Sequence, residues 1–157
     1  MLDKVKELLS AKKGSWEQSG GKPELQVAVC ALLLEMAHVD YDYHPAERDT
    51  IIALLQERFA LSGEDTAELM QIAEAGRVKF PELAPFIYVI NAAYSSEDKR
   101  DLLVMLWQVI LADKRFDSYE ELLMRKLGPM LEVDQATMEE VRQLALDDVE
   151  KLNPPQD

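Results

Sequence analysis

The chain has 157 residues, enough for one domain with a real core, and 48% of them are hydrophobic while 30% are charged. Seventeen Lys and Arg against thirty Asp and Glu leave a net charge of −13, which excludes nonspecific nucleic-acid binding, because a phosphate backbone demands a basic surface. The single cysteine excludes an intramolecular disulfide framework and a zinc site built on several thiolates.

In chain order, residues 1–11 predict an amphipathic helix, with Leu2, Val5, Leu8 and Leu9 at helical spacing and only Lys4 and Lys6 as basic groups. This stretch lacks the apolar centre and cleavage site of a signal peptide, so a cytoplasmic address is the expectation. Residues 12–23, with Gly14, Gly20, Gly21 and Pro23, read as a flexible linker. The expected helical domain spans 24–150, followed by a disordered tail over 151–157 that contains Pro154 and Pro155.

From Glu24 to about Val39 the sequence is apolar almost all the way round, the pattern of a central buried helix. Its longest apolar run, Val27 to Leu34, is far short of the ~20 residues that span a bilayer. Pro45 opens the next helix, which carries Ile51, Ile52, Leu54, Leu55 and Phe59. Ser62 caps a helix to about Ala75, and Pro81 is expected to start one anchored by Phe86 and Tyr88. Ser95 caps a second all-round apolar helix from about Glu97 to Ala112, Asp117 caps the next, and Asp134 the last. Sustained alternation with β-branched residues is absent, so the fold class is all-α, a single-domain bundle of seven or eight helices.

Two stretches match. Asp40 and Asp113 stand 73 residues apart, as do Tyr43 and Phe116, Glu47 and Glu120, Ile51 and Met124, and Leu54 and Leu127. A duplicated helical hairpin accounts for the offset, with its apolar helices crossing in one core. In each copy an aspartate ends a buried helix, and seven residues later a glutamate sits in the first turn of the next. The plain reading is capping, with Glu47 and Glu120 reaching back to the residue that starts the helix. Asp117 is a better cap than His44 by residue type.

The sharper reading is a hard divalent cation such as calcium or magnesium, held by Asp40, Asp42 and Glu47 together with Asp113, Asp117 and Glu120. An EF-hand is excluded, because its glycine and glutamate positions are Pro45 and Ile51 in one copy and Ser118 and Met124 in the other.

The stretches LLLEMAHVDYDYHPAERDTIIALL and LVMLWQVILADKRFDSYEELLMRKLG resemble the TerB tellurite-resistance family, and the likeness runs to about Ala145. The family pattern is an apolar helix ending in A-x-A-D-G, then a hydrophobic residue and a glutamate, given twice. The resemblance implies an all-helical fold, a link to tellurite and other chemical stress, acidic positions that hold a metal ion, and kinship with the N-terminal domain of DjlA-type co-chaperones. Two departures stand out. Tyr41 and Lys114 replace the motif glycine, and the glutamate five residues before the aspartate is Glu35 in one copy but Gln108 in the other. An amide keeps the acceptor and loses the charge, which weakens any cation site that needs both carboxylates.

His38 and His44 flank Asp40, but zinc needs three or four donors, and a helix histidine and a turn histidine are the expected identities. Cys30 lies in the most apolar segment, as an inert buried thiol. Glu35 interrupts a buried helix and needs a partner such as Arg48. Asn91 is expected to satisfy a local backbone group. No phosphate loop, nucleophile elbow or Cys–His arrangement is present, so the expectation is a non-enzyme. Residues 130–157 hold eight acids against two bases, the character of a solvated final helix or of a surface for a basic partner. Protein partners are expected, directly or within a membrane-associated complex, and the length of the 12–23 linker allows a homodimer by exchange of the first helix. The alternative is a purely structural interaction module whose acidic turns hold no metal.

Overall fold

The computed structural model describes residues 23–39, 44–112 and 118–152, and all regular structure in them is helical. Seven helices follow in order among the described residues: α1 (Pro23–His38), α2 (Pro45–Phe59), α3 (Gly63–Lys79), α4 (Ala84–Ala93), α5 (Ser96–Ile110), α6 (Ser118–Met130) and α7 (Gln135–Leu152). The expected helix at 1–11 lies outside the described residues. Pro23, read as the last linker residue, is the first residue of α1, where its missing N–H costs nothing. No described helix is long and apolar enough to cross a membrane.

The bundle is organised around α1. Every residue from Gln26 to Leu34 is buried, as are Met36 and Ala37. A helix with no wet face must be surrounded, and α1 packs against α2, α3, α4 and α5. Its small residues Ala28, Cys30, Ala31 and Ala37 let those neighbours approach closely. The second central helix, α5, differs from expectation. Leu102, Leu103, Leu106, Trp107, Val109 and Ile110 are buried, but Asp101, Val104 and Gln108 form an exposed stripe at helical spacing. Three polar or partly exposed positions a turn apart give α5 one solvent edge that α1 lacks.

Helix starts recur at the offset read from the sequence, from residue 23 to 96 and from 45 to 118. The correspondence extends past the hairpin to a third pair. Ala60 and Glu132 both have positive φ, 53° and 60°, and each stands two residues before a helix cap. Ser62 Oγ accepts from the Asp65 N–H at 3.1 Å, and Asp134 Oδ1 accepts from the Thr137 N–H at 2.7 Å. The left-handed residue closes α2, where the Leu61 N–H reaches Gln56 O at 3.2 Å, and α6, where the Val133 N–H reaches Gly128 O at 2.9 Å. Unit one is thus α1–α2–α3 and unit two α5–α6–α7, with α4 between them.

Helix α4 departs from the expectation at its start and in one of its anchors. Pro81 stays outside it, and the cap is Leu83, with Pro85 buried in the first turn. Phe86 is a core anchor at 1% exposure, but Tyr88 is 51% exposed and anchors nothing. Asn91 does not serve a local group. Its Nδ2 donates to Met130 O at 2.9 Å and so ties α4 to the last turn of α6.

Ion pairing joins the two units. Arg58, near the end of α2, reaches Asp98 and Asp101 on α5 at 3.2 Å each and lies 5.2 Å from the centroid of the Tyr94 ring. Asp98 also completes a capping box: the Ser95 N–H donates to Asp98 Oδ2 at 3.3 Å, and the Asp98 N–H donates to Ser95 Oγ at 3.2 Å. The Ser95 N–H, its hydroxyl and the Arg58 guanidinium hold the Asp98 carboxyl below its ordinary value.

Two outcomes follow from this packing. Leu33→Ala, at a fully buried position of α1, should cost about 2–5 kcal/mol in chemical denaturation, whereas Val104→Ala on the α5 edge should cost far less. Because the Asp98 carboxyl titrates lower in the folded chain than in the unfolded one, its contribution is full at neutral pH and fades as pH falls through the carboxylate range. Asp98→Asn should therefore lower stability at pH 7 and flatten its decline in acid, measured by urea midpoints between pH 3 and 7.

Candidate functional site

The acidic residues singled out by the repeat fall where α1 passes into α2 and α5 into α6. Of the six, Glu47 and Glu120 are described, and both are buried, at 1% and 2% exposure. They occupy one register, the third position of α2 and of α6. Glu47 is placed by a capping box. Its Oε1 accepts from the His44 N–H at 3.2 Å, and His44 Nδ1 accepts from the Ala46 N–H at 3.0 Å. A histidine therefore caps α2 in spite of its poor residue type, because Pro45 presets the helical turn and the extended backbone of His44 aims its ring nitrogen at the next free N–H. Glu120 is likewise engaged.

Asp40, Asp42, Asp113 and Asp117 lie outside the described residues. Among the described residues no group of three or more His, Cys, Asp or Glu is placed to hold a metal ion. Both histidines have hydrogen-bonding roles: His44 caps α2, and His38 Nε2 lies 3.3 Å from Glu74 Oε2. Cys30 is fully buried, and burial pushes its thiol far up, so it supplies no thiolate.

Beside the first acidic turn stands a charge cluster that the sequence reading missed. Glu35 pairs with Arg77 of α3, not with Arg48: Arg77 Nε donates to Glu35 Oε2 at 2.9 Å. Arg77 also pairs with Glu74, which in turn meets His38. The guanidinium side chain is only 16% exposed, and it neutralises two carboxylates at the end of α1. The single clue in the sequence was Glu74 and Arg77 three residues apart on one helix face. In unit two the counterpart of Glu35 is Gln108, an exposed amide that carries no charge to pair.

What unit two has instead is a cavity of about 710 Å³ where the end of α5 meets α6 and α7. Trp107, Met124, Gly128 and Met138 contribute to its lining, and Glu121, Arg125, Glu139 and Arg142 bring charge to it. Gly128 stands in the register of Leu55, which is fully buried in unit one. A Cβ on Gly128 would meet the Met138 side chain at 3.2 Å, so α7 leans on this glycine.

If Glu47 acts as a cap, Glu47→Ala should destabilise by about 0.5–2 kcal/mol and Glu47→Gln by less, because the amide oxygen still accepts from the His44 N–H. Paired urea melts of the two variants read the difference.

No curated protein matches the chain, and no solved structure does. A family model does match, covering residues 26–143 from the second turn of α1 into α7, and it is described as Tellurite resistance protein TerB. With three quarters of its length under that match and an all-helical bundle beneath it, the chain belongs to the TerB family.

Proposed function

We propose that the protein is a non-enzymatic, cytoplasmic stress-response module of the tellurite-resistance type, which works by docking onto other proteins and whose acidic turns serve first as helix caps. The observation that carries the capping role is Glu47: its carboxylate is nearly solvent-free and already accepts from the His44 N–H. A buried carboxylate with a backbone donor is explained without a ligand. The net charge of −13, together with Tyr119 and Leu122 exposed at 58% and 66% on one face of α6, supports a protein partner with basic groups.

A divalent ion is the second reading, favoured by one observation. Glu47 and Glu120 share both register and near-complete burial, an equivalence expected if each turn presents Asp40, Asp42 and Glu47, or Asp113, Asp117 and Glu120, to a hard cation. Thermal melts separate the two. Binding to the folded state raises the melting temperature by mass action, so a shared ion predicts a shift with millimolar calcium or magnesium that Asp40→Asn and Asp113→Asn each abolish. The capping role predicts no metal-induced shift in any of the three chains, and a wild-type shift lost in both variants would overturn it. Isothermal titration with calcium, magnesium, manganese and zinc checks the same point independently.

A further inference from the structure

We propose that Met138 is a redox modification site, at which hydrogen peroxide converts the thioether to its sulfoxide and the new oxygen draws Arg142 away from Glu121, loosening α7 from α6. The setting is a built one. Gly128 is buried in α6, and a Cβ there would stand 3.2 Å from Cγ and 3.3 Å from Cε and Sδ of Met138, so the end of the methionine lies on bare backbone. Unit one has the reverse arrangement at the matching positions, with the large Leu55 on its second helix and the small Thr66 on its third, both buried. Exchanging large for small on one helix and small for large on the other conserves volume, and it puts a sulfur in unit two where unit one has none.

This sulfur is within reach of a small oxidant. Of the six methionines among the described residues, Met36, Met70, Met105 and Met124 are buried, whereas Met130 and Met138 are partly exposed. Of these last two, Met138 lines the cavity of about 710 Å³ where α5, α6 and α7 meet, and oxidation follows access. In the reaction a sulfur lone pair attacks one peroxide oxygen and the O–O bond breaks. The proton left on the new S–O group passes to the departing hydroxide, which leaves as water. Sulfur is oxidised from thioether to sulfoxide and the peroxide is reduced.

An oxygen on this sulfur has little room toward Gly128 and is directed to the cavity. Arg142 stands one turn along α7 from Met138 and lines the same cavity, a third exposed. Its guanidinium lies 4.0 Å from Glu121 on α6 and 3.6 Å from Glu139 on its own helix, beyond hydrogen-bond length in both cases. Partly exposed pairs at these distances contribute little. A sulfoxide oxygen is a strong acceptor, and a hydrogen bond of normal length from a cation outweighs contacts this loose. The ion pair that crosses from α7 to α6 is then exchanged for a contact within α7. A polar group also stands where an apolar one had closed on Gly128, and both changes weaken the seam.

Hydrogen peroxide applied to the full chain, followed by proteolysis and mass spectrometry, tests the site. Met138 should gain an oxygen about tenfold faster than Met36, Met70, Met105 and Met124. Hydrogen exchange of the oxidised chain tests the consequence. Peptides from α6 and α7 should exchange about tenfold faster than before oxidation, while those from α2 keep their rate. Methionine sulfoxide reductases should restore slow exchange. Met138→Leu should abolish the acceleration, and Met130→Leu should retain it. Arg142→Ala has no bridge to lose, so it should exchange faster from the outset and respond less to peroxide. The proposal is overturned if Met138 reacts no faster than the buried methionines, if exchange in the oxidised chain is unchanged, or if the acceleration persists in Met138→Leu. An undiminished response in Arg142→Ala would overturn the transfer of the guanidinium.

Discussion

A helix without a wet side sets the terms for everything else. Because α1 is buried from Gln26 to Leu34 without a break, it cannot exist apart from the four helices that cover it. Its stability is tertiary throughout, and each covering helix depends on the same surface. The only charged group in its second half, Glu35, is accordingly matched by a guanidinium that α3 delivers from 42 residues away. A carboxylate on so apolar a helix is tolerable only with such a partner, which makes Arg77 part of the core's polar accounting as much as of any site.

The two units share a plan and differ in what they do with it. Both run from a buried helix to a second helix with a buried glutamate at its third position, and both close that second helix with a left-handed residue ahead of the next cap. Unit one spends its third helix on charge compensation and dense packing. Unit two differs: Gly128 lets the Met138 side chain of α7 close up on α6, and a cavity of about 710 Å³ lies beside them. Duplication permits this division, since one copy can hold the core while the other opens.

Helical periodicity and caps were legible in the sequence because they are local. Pro45, Ser62, Ser95 and Asp134 mark their helix starts through hydrogen bonds that span only a few residues. The repeat was legible because Asp40, Glu47 and their counterparts keep one spacing. Long-range partners were not. Arg77 for Glu35 and Met130 O for Asn91 depend on how helices cross, and no pattern within ten residues encodes them. Tyr88 misled because an aromatic residue among apolar neighbours looks like core, yet on α4 it is half exposed. The cavity was invisible, since its lining is brought together from α5, α6 and α7, which are far apart in the sequence.

The placement of Cys30 has a consequence for how motion in this protein can be followed. Its sulfur sits at the centre of the helix that four others cover, with a thiol that burial keeps protonated. A reagent that attacks thiolates can reach it only when α1 separates from its neighbours. The rate of its chemical modification is then a clock for the largest opening the bundle undergoes, with no engineered probe needed. The same shelter leaves the chain's one sulfhydryl unreactive toward oxidants for as long as the bundle is closed.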